Sequence, residues 1–277
     1  MSVNITAADV KKLREMTGAG MMDCKKALSE AEGDFDKAIE LLRKQGQKVS
    51  AKRADREANE GVVIAEVSDD NKRGVIVKLS CETDFVGKGE DFVGFAQKAA
   101  SLALKHFPNS LEELLKIDTA GLSHGDRVTE LVGKINEKIE LAAYEKMEAA
   151  MVCPYIHMGN KAAVLIGLNK ASDDFYDAGR DVAMQVAAMK PVAVDKDGVD
   201  ARTIEKEIEI GKEQARQEGK PEQILEKIAQ GKLQKFFKDS TLLNQQFVKD
   251  NKHSVREYLH SFDKDLTVIA FEHVTLG

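Results

Sequence analysis

The chain has 277 residues, of which 43% are hydrophobic and 32% charged, and its 41 basic and 47 acidic side chains leave a net charge of −6. That length suits two compact domains, or one domain with smaller modules, and the composition is ordinary for a globular protein. The charge balance excludes a uniformly basic nucleic-acid surface, an aromatic share of 5% without tryptophan disfavours base-stacking platforms, and no apolar run of about 18 residues is present to span a membrane. The start, Met1-Ser2-Val3-Asn4-Ile5-Thr6, has no basic segment followed by an apolar core, so no secretory signal is expected. Cys24, Cys81 and Cys153 lie far apart, with no C-x-x-C pair and no histidine at ligand spacing. This argues against a disulfide framework and a zinc site, and fits a reducing cytoplasm.

Residues 5 to 46 read as three short helices. Thr6 caps the first, with Asp9 placed for a capping box, and Val10, Leu13 and Thr17 share a face before Gly18-Ala19-Gly20. Cys24, Ala27, Leu28 and Ala31 form the stripe of the second helix, which stops at Gly33. Asp34 caps the third, whose stripe of Phe35, Ala38, Ile39 and Leu42 is predicted to end at Gly46. The polar run from Gln47 to Glu60 reads as a linker or an exposed helix.

The period then changes. Val63, Ala65 and Val67 alternate, as do Val75, Val77, Leu79 and Cys81, predicting half-buried strands joined through Asp69-Asp70-Asn71-Lys72. A helix follows, with Phe92, Ala96, Ala99 and Ala103 on one side. Val128 to Met151 reads as mostly helical. The strand pattern recurs at Val164, Ile166 and Leu168, and Asp173-Asp174-Phe175 leads into a helix with Val182, Ala183 and Val186. Lys72, Val77, Leu79 and Asp84 precede Lys161, Ile166, Leu168 and Asp173 by one constant separation, which points to a duplicated strand–strand–helix unit. After Asp200, two apolar stripes separated by Gly219-Lys220-Pro221 predict an antiparallel helical hairpin, from about 200 to 238. The stripes contain Ile204, Ile208, Gly211 and Ala215, then Ile224, Leu225, Ile228, Leu233, Phe236 and Phe237. Asp265 to Thr275 has strand composition and is predicted to close a sheet. The expected fold class is α+β: a helical module over 1–54, then core halves over 55–142 and 143–277.

The chemistry of an enzyme is missing. There is no G-x-x-x-x-G-K-[ST] loop, no dinucleotide fingerprint, no G-x-S-x-G elbow and no H-E-x-x-H helix. No acidic pair is set apart for acid–base work. No catalytic residue, metal or cofactor is expected.

Three residues are out of place instead. Met22 lies nearly opposite the stripe through Cys24 and Leu28, as a frayed helix start, a contact with the first helix, or an exposed contact for a partner. Phe85 follows a strand and is predicted on a loop before Gly87-Lys88-Gly89. It either folds back over the sheet core or stands out as an aromatic wedge with Asp84 beside it. His157 reads by default as a turn or core-edge histidine.

These residues fall in recognisable blocks. Thr17-Gly18-Ala19-Gly20-Met21-Met22-Asp23-Cys24-Lys25-Lys26-Ala27-Leu28 closely resembles the N-terminal signature of the elongation factor Ts family, and Glu82-Thr83-Asp84-Phe85-Val86 resembles its second signature. Gly219-Lys220-Pro221, Glu226-Lys227-Ile228 and Gln246-Phe247-Val248-Lys249-Asp250 extend the resemblance over essentially the whole chain.

The resemblance implies a non-enzymatic nucleotide exchange factor whose partner is elongation factor Tu. It implies no direct nucleotide binding, no nucleic acid and no membrane. A ubiquitin-associated-like module would dock on the partner's GTPase domain, with Lys11, Arg14, Met21, Met22 and Lys25 at the matching positions. Asp84 and Phe85 match a pair that enters between helices of that domain, and His157 matches a contact beside it. Ile135 matches a further contact, as do Val248 and Lys249 near the C-terminus. Asn136 stands where the family is expected to have glycine, and Gln246 where proline is usual. Two other classes are an adaptor binding ubiquitin-like or peptide ligands through the helical module alone, and a translation-associated RNA-binding protein. The continuous resemblance disfavours the first and the acidic balance the second.

Overall fold

In the computed structural model, which describes residues 5–276, Thr6 opens the first helix as its sequence predicts. Its hydroxyl accepts the Asp9 amide at 3.2 Å, while the Asp9 carboxylate accepts the Thr6 amide at 3.0 Å. The segment Met1–Asn4, part of the stretch read as lacking a secretory signal, lies outside the described residues. Helix α1 (Ala7–Thr17) ends on Gly18 in the left-handed region. With α2 (Met21–Glu30) and α3 (Phe35–Arg53) it encloses a small core of Val10, Leu13, Cys24, Ala27, Leu28 and Ala38. The expected stop at Gly46 is corrected, because α3 runs through it to Arg53. Gly46 serves a close crossing with a later helix rather than a helix end.

β1 (Glu60–Val67) and β2 (Arg73–Cys81) form an antiparallel hairpin, with Val62 opposite Leu79 and Val67 opposite Gly74. A short helix α4 (Asp84–Gly87) follows, then α5 (Glu90–His106), α6 (Leu111–Lys116) and α7 (His124–Ile135). The chain next enters β3 (Ile139–Glu148), antiparallel to β2. The helical reading of Val128 to Met151 is therefore corrected: helix ends at Ile135, and a strand fills most of the rest. Buried Ile139, Leu141 and Tyr144 break the alternation of a strand because Ala142 is an extra residue, bulged out opposite the Lys78/Leu79 step, and Met147 is buried on the opposite face, between the sheets.

The second half repeats the first. β4 (Met151–Ile156) and β5 (Ala162–Leu168) pair antiparallel and lead into α8 (Asp173–Met189). Helices α9 (Ala201–Gln217) and α10 (Glu222–Ser240) form the predicted hairpin, burying Gly211 and Ala215 with Leu225, Ala229 and Leu233. Ile224, assigned to that stripe, is exposed instead, since at 100° per residue it points away from the face that buries Leu225, Ala229 and Leu233. Strands β6 (Gln246–Phe247) and β7 (Asp250–Ser254), helix α11 (Val255–His260) and strand β8 (Val268–Thr275) complete the fold. β8 pairs with β5 as β3 pairs with β2. The offset that carries Lys72 to Lys161 carries the β1–β2 register onto β4–β5. It also carries the bulge at Lys78/Leu79 onto the one at Gly167/Leu168, where Ile269 is the extra residue.

The two sheets stack face to face. Val63 and Ile76 of one meet Val152, Ala163 and Leu165 of the other. Helices cover the outer faces: Phe92, Ala96 and Ala99 of α5 lie on Val75, Val77 and Leu79, and Val182, Ala183 and Val186 of α8 lie on Val164, Ile166 and Leu168. Strands expected to be half-buried are thus buried on both sides, so Val62–Ile64 and Val75–Val77 are unbroken apolar runs. The fold is α+β, with antiparallel sheets and an N-terminal helical module.

Candidate partner interface

Phe85 lies on a turn held from several sides. Thr83 caps α4, its hydroxyl accepting the Val86 amide at 3.4 Å. The same hydroxyl donates to Glu137 at 2.7 Å, and the Thr83 amide donates to Glu137 at 3.1 Å. Glu82 accepts from Arg53 at 2.6 Å, Arg56 at 2.9 Å and the Lys138 amide at 2.6 Å. Burial opposes the charge on Glu82, but that amide and the two guanidinium groups outweigh it and hold its pKa at about 2. Gly61, at φ 138°, leaves no room for a side chain: a Cβ there would stand 2.1 Å from the Leu79 carbonyl oxygen. Gly87 rests directly on that backbone.

The loop assignment for Phe85 is corrected to a short helix, whose first turn it occupies. Its side chain is 84% exposed, so it does not cap the sheet core. Asp84 pairs with Lys88 at 2.6 Å, which holds the carboxyl below and the ammonium above their usual ranges.

His157 follows β4 and is exposed, its Nδ1 lying 3.1 Å from the Tyr155 hydroxyl. Beside it Met158 is 85% exposed and Ile156 is also exposed. The turn at 158–160 comes within contact range of β1, the strand that also supports α4. Sequence reasoning missed Met158; the available signal was a second apolar side chain flanking a turn histidine.

On the helical module, Met22 is 76% exposed and Met21 is exposed beside it, facing away from Cys24, Ala27 and Leu28. Lys11, Arg14 and Lys25 are exposed on the same two helices, Lys11 pairing with Glu15 at 3.8 Å. Met16, not singled out from sequence, adds another exposed thioether on α1. Ile135, the last residue of α7, is half-buried against the first-half core. Asn136 follows at φ 61°, a left-handed conformation that asparagine tolerates and glycine adopts freely, which accounts for a glycine expected there.

Near the C-terminus the exposed Val248 donates its amide to the buried Gln185 at 2.8 Å. Lys249 pairs with Asp181 at 2.5 Å, and Asp181 also accepts the Tyr258 hydroxyl at 3.1 Å. Gln246 sits exposed in β6 opposite Ser254. The structure therefore brings Phe85 and the His157 turn to a common strand. Met21 and Met22 lie on the separate helical module, and Val248 and Lys249 on the second half.

A family model described as Elongation factor TS matches residues 82–277. Elongation factor Ts of Christiangramia forsetii is 59% identical over 273 residues, covering 99% of each chain. The chain belongs to the elongation factor Ts family. The Elongation factor Ts proteins of Amoebophilus asiaticus and Porphyromonas gingivalis are 54% and 47% identical, over 274 residues each and 99% of this chain. The family model begins at Glu82, the residue that anchors the Phe85 turn, and the full-length relatives extend the match across the helical module.

The conspicuous exposed side chains are apolar: Met21, Met22, Phe85 and Met158. The three cysteines are buried and free, and burial pushes the thiols of Cys81 and Cys153 up to about 12. Among the described residues no group of three or more His, Cys, Asp or Glu side chains could hold a metal ion, and no helix is long and apolar enough to cross a membrane.

Proposed function

We propose that this protein binds elongation factor Tu carrying GDP and promotes release of the GDP, neither binding nor hydrolysing nucleotide itself. The observation that carries the reading is Phe85, a large aromatic side chain 84% exposed on a turn with several fixed supports. Exposing such a ring in the free protein gains nothing for folding, whereas desolvating it in a partner's pocket is how interface anchors act.

Phe85 enters between helices of the partner's GTPase domain, with Asp84 as a hydrogen-bond acceptor and His157 alongside. Met21 and Met22, flanked by Lys11, Arg14 and Lys25, grip the same domain through adaptable apolar contact. Ile135, Val248 and Lys249 supply further contacts. Displacing the helix that supports Mg²⁺ weakens the hold on the GDP phosphates. Because the exchange factor prefers the nucleotide-free partner, linkage requires that it lower GDP affinity by the same factor. The division into a module over 1–54 and core halves over 55–142 and 143–277 belongs to this proposal.

The test is rapid mixing of the protein with elongation factor Tu carrying a fluorescent GDP. Substoichiometric acceleration of release is expected. Unaltered release, or stoichiometric binding of labelled GDP by this protein alone, would overturn the proposal.

A further inference from the structure

The turn that carries Phe85 has a second copy in the chain, built differently. The offset that superposes the strand registers takes Glu82 to Ala171, Thr83 to Ser172, Phe85 to Asp174 and Lys88 to Asp177. In the copy Ser172 makes no side-chain capping bond, and α8 continues without a break from Asp173 to Met189. No carboxylate stands at position 171 to reach a neighbouring helix. The same strand pair thus folds against its helix without the bonds that surround Phe85. Those bonds are not a requirement of the architecture.

We propose that Glu82 and Glu137 are positioning residues for Phe85, an inference that rests on the exchange function proposed above. Glu137 fixes both the amide and the hydroxyl of Thr83, so the first turn of α4 starts from one defined point. Glu82 ties that point to Arg53, the last residue of α3, to Arg56 just beyond it, and to the Lys138 amide before β3. The side chain of Lys138 adds bonds to the carbonyls of Ala54 and Arg56, at 3.0 and 2.9 Å. Helix α3 belongs to the module that bears Met21 and Met22. The two contact regions are consequently presented at a fixed spacing, and the second engages as an intramolecular event once the first is made. A turn already in its binding conformation also avoids the ordering cost that a loose one meets on binding.

Loosening the turn reduces the fraction of molecules ready to bind, and apparent affinity falls by that fraction. Saturating partner re-imposes the conformation, so the maximal release rate stays the same. Removing the aromatic ring itself acts on the maximal rate. This split separates positioning from direct contact.

The experiment compares wild type, Glu82→Gln, Glu137→Gln and Arg53→Gln, the last loosening the same point from the module side. Two readouts are taken: amide hydrogen exchange at Val86, Gly87 and Lys88 in the free protein, and stimulated GDP release titrated to saturation. The expected results are about 10-fold faster exchange at those amides and a half-saturating concentration raised about 3- to 10-fold, with a plateau rate within about twofold of wild type. Unchanged amide protection, an unchanged half-saturation point, or a plateau that falls as in Phe85→Ala would overturn the proposal. A wild type that fails to stimulate GDP release by elongation factor Tu would refute the exchange function instead, leaving the hydrogen-exchange readout to decide whether Glu82 and Glu137 position the turn.

Discussion

Gly133 of α7 lies against Gly46 of α3 with backbone on backbone: a Cβ on Gly133 would stand 3.0 Å from the Cα of Gly46. A Cβ on Gly46 would stand 3.0 Å from the Thr129 carbonyl oxygen. The helical module rests on the first half of the core through this crossing, beside the Arg43–Glu130 ion pair at 2.8 Å. Gly46→Leu is predicted to push the helices apart. Amide exchange along α3 should rise about 10-fold while β2 stays protected. Unaltered protection of α3 would show that the crossing is not what seats the module.

Met22→Ala removes a side chain that is mostly in solvent. Its melting temperature is expected within about 2 °C of wild type, as for surface substitutions generally. Affinity for elongation factor Tu should fall on the order of tenfold, as for a truncated interface anchor. A lowered melting temperature with undiminished affinity would make Met22 a core residue.

Glu82 has a folded-state pKa depressed from an ordinary 4.5 to about 2. Its contribution to stability is therefore present above pH 4.5 and lost as pH falls toward 2. The stability advantage of wild type over Glu82→Gln, measured by urea unfolding, should shrink steadily across that window. An advantage independent of pH would mean that the charge on Glu82 contributes nothing.

Much of this architecture can be read from the residues, and the exceptions have physical causes. The duplication is visible in the spacing of Lys72, Val77 and Leu79 against Lys161, Ile166 and Leu168, because matched registers demand matched spacing. β3 does not alternate in sequence because the bulge at Ala142 moves Tyr144 out of step and Met147 is buried on the opposite face. Gly46 read as a stop because a glycine required for close helix crossing looks the same as one that ends a helix. Met22 and Phe85 each admit a packed and an exposed reading from sequence, because neither an angle on a helix nor a position after a strand fixes what lies over the side chain; the fold leaves both exposed. The Glu82 and Glu137 bonds join segments distant in the chain, and no local pattern announces them.

Asn136 holds a left-handed conformation at φ 61°. Asn136→Gly should leave stability nearly unchanged, while Asn136→Val should cost about 1–2 kcal/mol in urea unfolding. Equal stabilities for the valine and glycine variants would contradict the strained cap.

The central claim is that Phe85 is an anchor for elongation factor Tu, and the duplicated fold supplies its control. Phe175, at the corresponding helix start in the second half, packs against that half's core. Stopped-flow release of fluorescent GDP from elongation factor Tu, measured beside unfolding curves for Phe85→Ala and Phe175→Ala, tests the claim most directly. Phe85→Ala is predicted to slow stimulated release at least ~10-fold, while losing far less stability than the ~3–5 kcal/mol typical of a buried phenylalanine. Phe175→Ala should lose stability and, once folded, stimulate GDP release nearly as fast as wild type. Release defects of equal size in both variants, tracking their stability losses, would contradict the account.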